Sequence, residues 1–99
     1  MFERFKDVQV QIHDADFLKT IPVANIVRYL QEHEWKNHKE IRMNGELKGW
    51  IYEKEEMFVT VPATETFGDY ALRISDLLQK VNVIEFGNQL SIVEDIFSS

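Results

Sequence analysis

One run of apolar residues near the middle of the C-terminal half constrains this chain more than any other feature. Phe67, Tyr70, Ala71, Ile74, Leu77, Leu78 and Val81 recur at steps of three and four, the spacing that lines one face of an α-helix. They predict a helix over about 67–82, extending up to Phe86. Thr66 and Asp69 precede it at capping-box spacing, with Asp in place of the usual Glu. Just upstream stands MFVTVP, in which Met57, Val59 and Val61 share one face of a strand. Pro62 ends that strand, because it has no N–H to give a ladder. A strand, a proline and an amphipathic helix in this order call for a sheet with the helix folded back on it.

The rest of the chain fills out that architecture. Asn44-Gly45 is a two-residue hairpin signal, since both residues tolerate positive φ. It joins a first strand at about 38–43 to a second in which Trp50 and Tyr52 share a face. EKEE at 53–56 reads as a polar turn into the third strand. Before the sheet, Val23, Ile26, Val27 and Leu30 stripe a helix from about Pro22 to Glu34, with Thr20 as its cap and Pro22 in its first turn. Trp35 plugs its end. Residues 6–12, KDVQVQI, alternate strictly and predict an N-terminal strand with Val8, Val10 and Ile12 on one face. At the other end Gly87 closes the long helix, Asn88 caps the next, and Leu90, Val93, Ile96 and Phe97 stripe a short last helix. The expected fold is α+β: an α-β-β-β-α unit with a three-stranded antiparallel sheet and two helices on one face, plus the N-terminal strand and the short C-terminal helix.

Ninety-nine residues make one domain, either a small complete protein or the N-terminal module of a longer one. With no cysteine there is no disulfide or thiolate metal site. No leader or membrane-length apolar run is present, so a cytoplasmic protein is expected. The charge is uneven. Residues 1–52 balance eight acids with eight bases, while residues 53–99 set nine acids against three bases and so account for the whole net charge of −6. The one basic concentration, Lys36, Lys39, Arg42 and Lys48, is interleaved with Glu40 and Glu46 and reads as a solvated hairpin face. This balance argues against a nucleic-acid partner.

Candidate chemistry is sparse. His13, Asp14 and Asp16 follow a strand and read as a turn rather than as converging metal ligands. His33 and His38 are five residues apart, so they do not share a helix face as paired ligands would, and they read as a surface pair. Paired carboxylates fall on turns and helix surfaces, where nothing places them inside and they read as solvated. No cofactor or metal is expected. Aromatic and apolar residues on the sheet are the stronger signal. Phe58 and Ile51 alternate to the face opposite Trp50, Tyr52 and Met57, so both faces carry apolar groups. One of them must be covered by the N-terminal strand, by the last helix, or by a partner chain.

The α-β-β-β-α order with Val59-Thr60-Val61-Pro62 before the second helix resembles the HicA-type mRNA-interferase toxins, which have a double-stranded-RNA-binding-like fold. The overlap runs from about Ile21 to Leu78, and Glu34-Trp35 stands loosely where that family has a glycine-aromatic pair. Its catalytic Gly-Ser-His motif falls where this chain reads Gly49-Trp50-Ile51. What the resemblance implies is therefore the fold, and RNA binding or cleavage only if His38 or His33 replaces the missing general acid or base. The order Tyr29-Leu30, Trp35, Gly49-Trp50, Val61-Pro62, Asp69-Tyr70 is also similar to N-terminal modules of uncharacterised bacterial proteins.

The resulting expectation is a non-catalytic, self-associating or partner-binding module of a bacterial or phage protein. Its partner is protein, and its interaction residues are Val8, Val10, Ile12, Trp50, Tyr52 and Phe58. The alternatives are the HicA-like RNA-binding or RNA-cleaving protein using His38 or His33, and an acidic decoy that mimics nucleic acid with the carboxylates of residues 53–76.

Overall fold

The structure, a computed structural model, describes residues 14–85 and 88–99. In chain order it contains α1 (Ala15–Leu18), α2 (Val23–Glu32), β1 (Lys36–Met43), β2 (Glu46–Lys54), β3 (Met57–Pro62), α3 (Tyr70–Glu85) and α4 (Gln89–Ser98). The strands form one antiparallel sheet in the order β1-β2-β3, so the fold is α+β as the sequence predicts. The N-terminal strand predicted from Val8, Val10 and Ile12, and the helix-closing Gly87, lie outside the described residues.

The sheet is built by two two-residue turns. Asn44 and Gly45 adopt φ of 54° and 80°, as a type I′ hairpin requires. Glu55 and Glu56 do the same at 51° and 67° without the help of Gly or Asn. Opposed residues share a face. Trp50 with Val61, Tyr52 with Val59 and Lys54 with Met57 therefore form one face, and Ile51 with Thr60 and Glu53 with Phe58 form the other. Pro62 at the end of β3 is buried on the second face, whereas the large apolar side chains Tyr52, Val59 and Val61 are buried on the first. There they meet Tyr70, Ile74, Leu77, Leu78 and Val81 of α3 and Ile26, Tyr29 and Leu30 of α2. Burying side chains of this size contributes roughly 1.5–3 kcal/mol each before the entropy of ordering them is subtracted.

Both expected caps are corrected. Thr20 does not cap α2: its Oγ1 donates to the Phe17 carbonyl at 2.6 Å and so closes α1 instead. Pro22 holds the N-cap position with no side-chain bond of its own. The Val23 N–H donates to Glu65 Oε2 at 2.7 Å, a carboxylate supplied from the loop before α3 and favoured by the helix dipole. Likewise α3 begins at Tyr70 rather than at Phe67. Thr66 Oγ1 pairs with Thr64 Oγ1, and the first helical acceptor is the Asp69 carbonyl, 3.0 Å from the Arg73 N–H. The turn expected around Asp14 and Asp16 is the single helical turn α1, capped by Asp14, whose Oδ1 accepts from the Asp16 and Phe17 N–H groups.

The last helix is rotated from its expected stripe. Gln89, Ile92, Val93 and Ile96 are buried, whereas Leu90 and Phe97 are exposed. The buried set has the right i, i+3, i+4, i+7 spacing, but a polar Gln89 occupies its first place. Asn88 caps the helix as predicted, accepting from the Ser91 N–H at 2.9 Å. Because α4 packs on α2 and α3, it does not cover the second face of the sheet.

The end of α2 turns the chain sharply into β1. Trp35 N–H donates to the Leu30 carbonyl at 2.8 Å and Glu34 N–H to the Gln31 carbonyl at 3.2 Å. This is a Schellman ending, with Leu30 and Trp35, at the positions where that motif places its apolar pair, both buried in the core. Its left-handed position, at φ 68°, is held by Glu34 where glycine is usual. Glu34→Gly is therefore expected to stabilise the fold by up to ~1 kcal/mol, the strain relieved minus the added freedom of the unfolded chain. A higher urea midpoint at unchanged slope would show it.

Candidate interaction surface

β1 extends the sheet beyond the helices. All of its residues except the half-buried Ile41 are exposed, at Lys36, Asn37, His38, Lys39, Glu40, Arg42 and Met43. Two irregularities shape it. His38 is an extra residue on β1 between Asn37 and Lys39, and Lys48 is an extra residue on β2 opposite the step from Ile41 to Arg42. The first bulge places the His38 ring edge-on to Phe58, centroids 5.4 Å apart. The second lets Lys48 reach over the Phe67 ring, 5.5 Å from its centroid.

Between these points the second face of the sheet carries a groove of about 470 Å³. Its apolar wall is Ile41, Met43, Pro62 and Phe67, and its polar rim is Lys48, Asp69 and Arg73. The rim charges are internally matched: Lys48 pairs with Glu46, and Arg73 Nε lies 3.0 Å from Asp69 Oδ2. Lysine binding holds the Glu46 carboxyl below its ordinary range. Such a site presents apolar surface with a neutral rim, suited to an apolar side chain rather than to a phosphate. Phe58, 46% exposed, and Met43, 61% exposed, continue the apolar surface along the face.

The sequence-predicted residues divide. Phe58 stands on this open face. Tyr52 is corrected as an interaction residue: it points to the helix side and is buried opposite Val59. Trp50 also turns to that side and packs half-buried against the core. Val8, Val10 and Ile12 lie outside the described residues. His38 and His33 are not brought into a joint site, since His38 meets Phe58 while His33 caps the end of α2. Ile41, Met43, Lys48 and Phe67 escaped sequence reasoning. Counting back from the Asn44-Gly45 turn would have put Ile41 and Met43 on one face, but the Lys48 bulge has no sequence mark.

A second cluster is tied into the fold. Glu85 Oε2 accepts from Trp35 Nε1 at 2.9 Å and from Lys54 Nζ at 2.8 Å, and its Oε1 lies 3.4 Å from His33 Nδ1. Lys54 also donates to the His33 carbonyl at 2.7 Å, so the expected polar turn is partly an anchor. Burial alone would raise the Glu85 carboxyl. The hydrogen bonds from Lys54 and Trp35 and the Lys54 and His33 charges outweigh it, and hold it below its ordinary value. His33 stacks on Tyr29, centroids 4.1 Å apart. Burial, then the Glu85 and Asp95 charges, push the Tyr29 phenol far up. Among the described residues no group of three or more His, Cys, Asp or Glu could hold a metal, and no helix is long and apolar enough to cross a membrane.

The acids of residues 53–76 are partly committed to the fold. Glu65 caps α2, Asp69 pairs with Arg73, and Asp76 pairs with Lys80 at 3.1 Å. Comparison of the chain with protein-family models, with curated proteins and with solved structures finds no match.

Proposed function

We propose that the chain is a non-catalytic protein-interaction module that docks its partner on the uncovered part of its sheet. The observation that carries this reading is the groove under Ile41, Met43, Pro62 and Phe67, continued by the exposed Phe58, on a face that α2, α3 and α4 do not cover. Contiguous apolar surface with a charge-matched rim is the composition of a protein-binding patch. The matched rim and the overall charge of −6 favour protein over nucleic acid. The decoy reading loses support because Glu65, Asp69 and Asp76 are already engaged within the fold.

The test is photo-crosslinking in the native cell. A photoreactive side chain at Met43 or Phe58 is expected to give discrete protein adducts, while the same group at Leu72, exposed on α3, gives none. Adducts with RNA at His38 and Phe58 would replace this reading by the RNA-binding alternative. No adduct at either sheet position would overturn it.

A further inference from the structure

We infer that the outer edge of β1 pairs antiparallel with β1 of a second copy, about a two-fold axis through Ile41. This rests on the docking reading above and names its partner.

Three observations lead there. Among the described residues the edge is free: β1 residues are exposed on both faces apart from Ile41, and no turn, loop or cap hydrogen bond between described residues uses the backbone of residues 36–43. Unpaired edges of this kind accept another strand. The edge is also regular where it matters. The first bulge adds His38 before Lys39, and the second adds Lys48 on β2, so residues 39–43 of β1 run without interruption. Their alternation is visible in the contacts. Glu40 and Arg42 bridge at 2.9 Å along one face, and Ile41 and Met43 both line the groove on the other.

The third observation is that KEIRM is self-complementary in charge. Antiparallel pairing about Ile41 sets Glu40 against the partner's Arg42 and Arg42 against the partner's Glu40. It sets Ile41 against the partner's Ile41, and Lys39 against the partner's Met43. Each opposed pair shares a face, as a continuous sheet demands. The neighbouring registers that keep the faces aligned put Glu40 on the partner's Glu40 or Arg42 on the partner's Arg42, and like charges directly opposed are unfavourable. A slip of one residue sets opposite faces against each other. The charges therefore select one register, and the two-fold closes the assembly at two copies with a six-stranded sheet. The two Glu40–Arg42 bridges merge into a four-charge row on one side of the seam. On the other side the Ile41 and Met43 walls of the two grooves adjoin.

The experiment is a charge-swap series read by sedimentation equilibrium up to millimolar protein, with circular dichroism to show that each variant is folded. Wild type is expected to dimerise. Glu40→Arg and Arg42→Glu each place like charges at both cross-strand positions and weaken the dimer about tenfold or more. Mixing the two single variants restores opposite charges at every position and restores dimer. The double variant does the same by itself. A wild type that stays monomeric throughout overturns the inference. So do single variants that dimerise as well as wild type, or a mixture no better than its parts. If the protein is monomeric yet Met43 and Phe58 crosslink to a different protein, the dimer falls and the docking reading stands. If no protein adduct forms, that reading falls as well.

Discussion

Gly49→Ala is expected to cost about 3 kcal/mol of folding stability, the upper end of what overpacking a well-packed interior costs. A methyl group at position 49 would sit 2.4 Å from the Val61 carbonyl oxygen and 3.3 Å from its carbonyl carbon, with the Pro62 Cα next at 3.4 Å. All three obstacles are backbone, so no side chain can swing away, and β2 and β3 must part where Gly49 faces Pro62. Such a separation would strain the Ala63 N–H bond to the Lys48 carbonyl, now 2.9 Å, and move Pro62 out of the groove wall. For a 99-residue domain with a stability of roughly 5–15 kcal/mol, this is a large fraction. Gly68 supplies the control. No atom lies within 4 Å of a methyl placed there and its φ is not positive, so Gly68→Ala is expected within ±0.5 kcal/mol of wild type. Urea unfolding of both variants decides the matter. A Gly49→Ala loss under about 1 kcal/mol would mean the strands separate freely.

The fold was readable from the sequence where a residue's chemistry and its spacing agree. Asn44-Gly45 marks a turn because both residues adopt positive φ easily, and the structure uses them so. The stripe from Tyr70 to Val81 is buried as its period demands. Reading failed where distant residues do local work. Thr20 and Thr66 have the right chemistry for caps, yet Glu65 caps α2 from 42 residues away because the loop before α3 lies over the start of α2. The stripe of α4 was misjudged because burial of Gln89 is a tertiary outcome that a hydropathy period cannot show. Tyr52 looked available because strand alternation gives two faces without saying which one the helices cover. The groove was half legible. Ile41 and Met43 follow from the hairpin register, but Lys48 depends on a bulge and Phe67 on a loop.

Glu85→Ala is expected to cost about 2–3 kcal/mol, because it leaves partly buried donors without their acceptor. The Glu85 and Lys54 side chains are 14% and 22% exposed, so their pairing is screened much less than a surface bridge. Without the carboxylate, Trp35 Nε1 loses its partner at 2.9 Å, and among the described residues the Lys54 ammonium keeps the His33 carbonyl alone. Trp35 and Glu85 stand 50 residues apart, so no spacing rule announces the cluster. Removing both charges together, as Lys54→Met with Glu85→Leu, should cost less than the sum of the single changes, since no unpaired ion remains. The pH dependence has a definite sign. Glu85 binds its proton less readily in the folded chain than its ordinary value of 4.5 implies. Its contribution is therefore present above that value and is lost as the pH falls through it to the lower folded pKa. Glu85→Gln keeps the shape and one acceptor oxygen but cannot titrate. The Tm gap between wild type and Glu85→Gln should thus be widest near neutrality and close progressively on acidification. A gap that stays constant down to low pH would assign the cluster's effect to shape and hydrogen bonding rather than to the Glu85 charge.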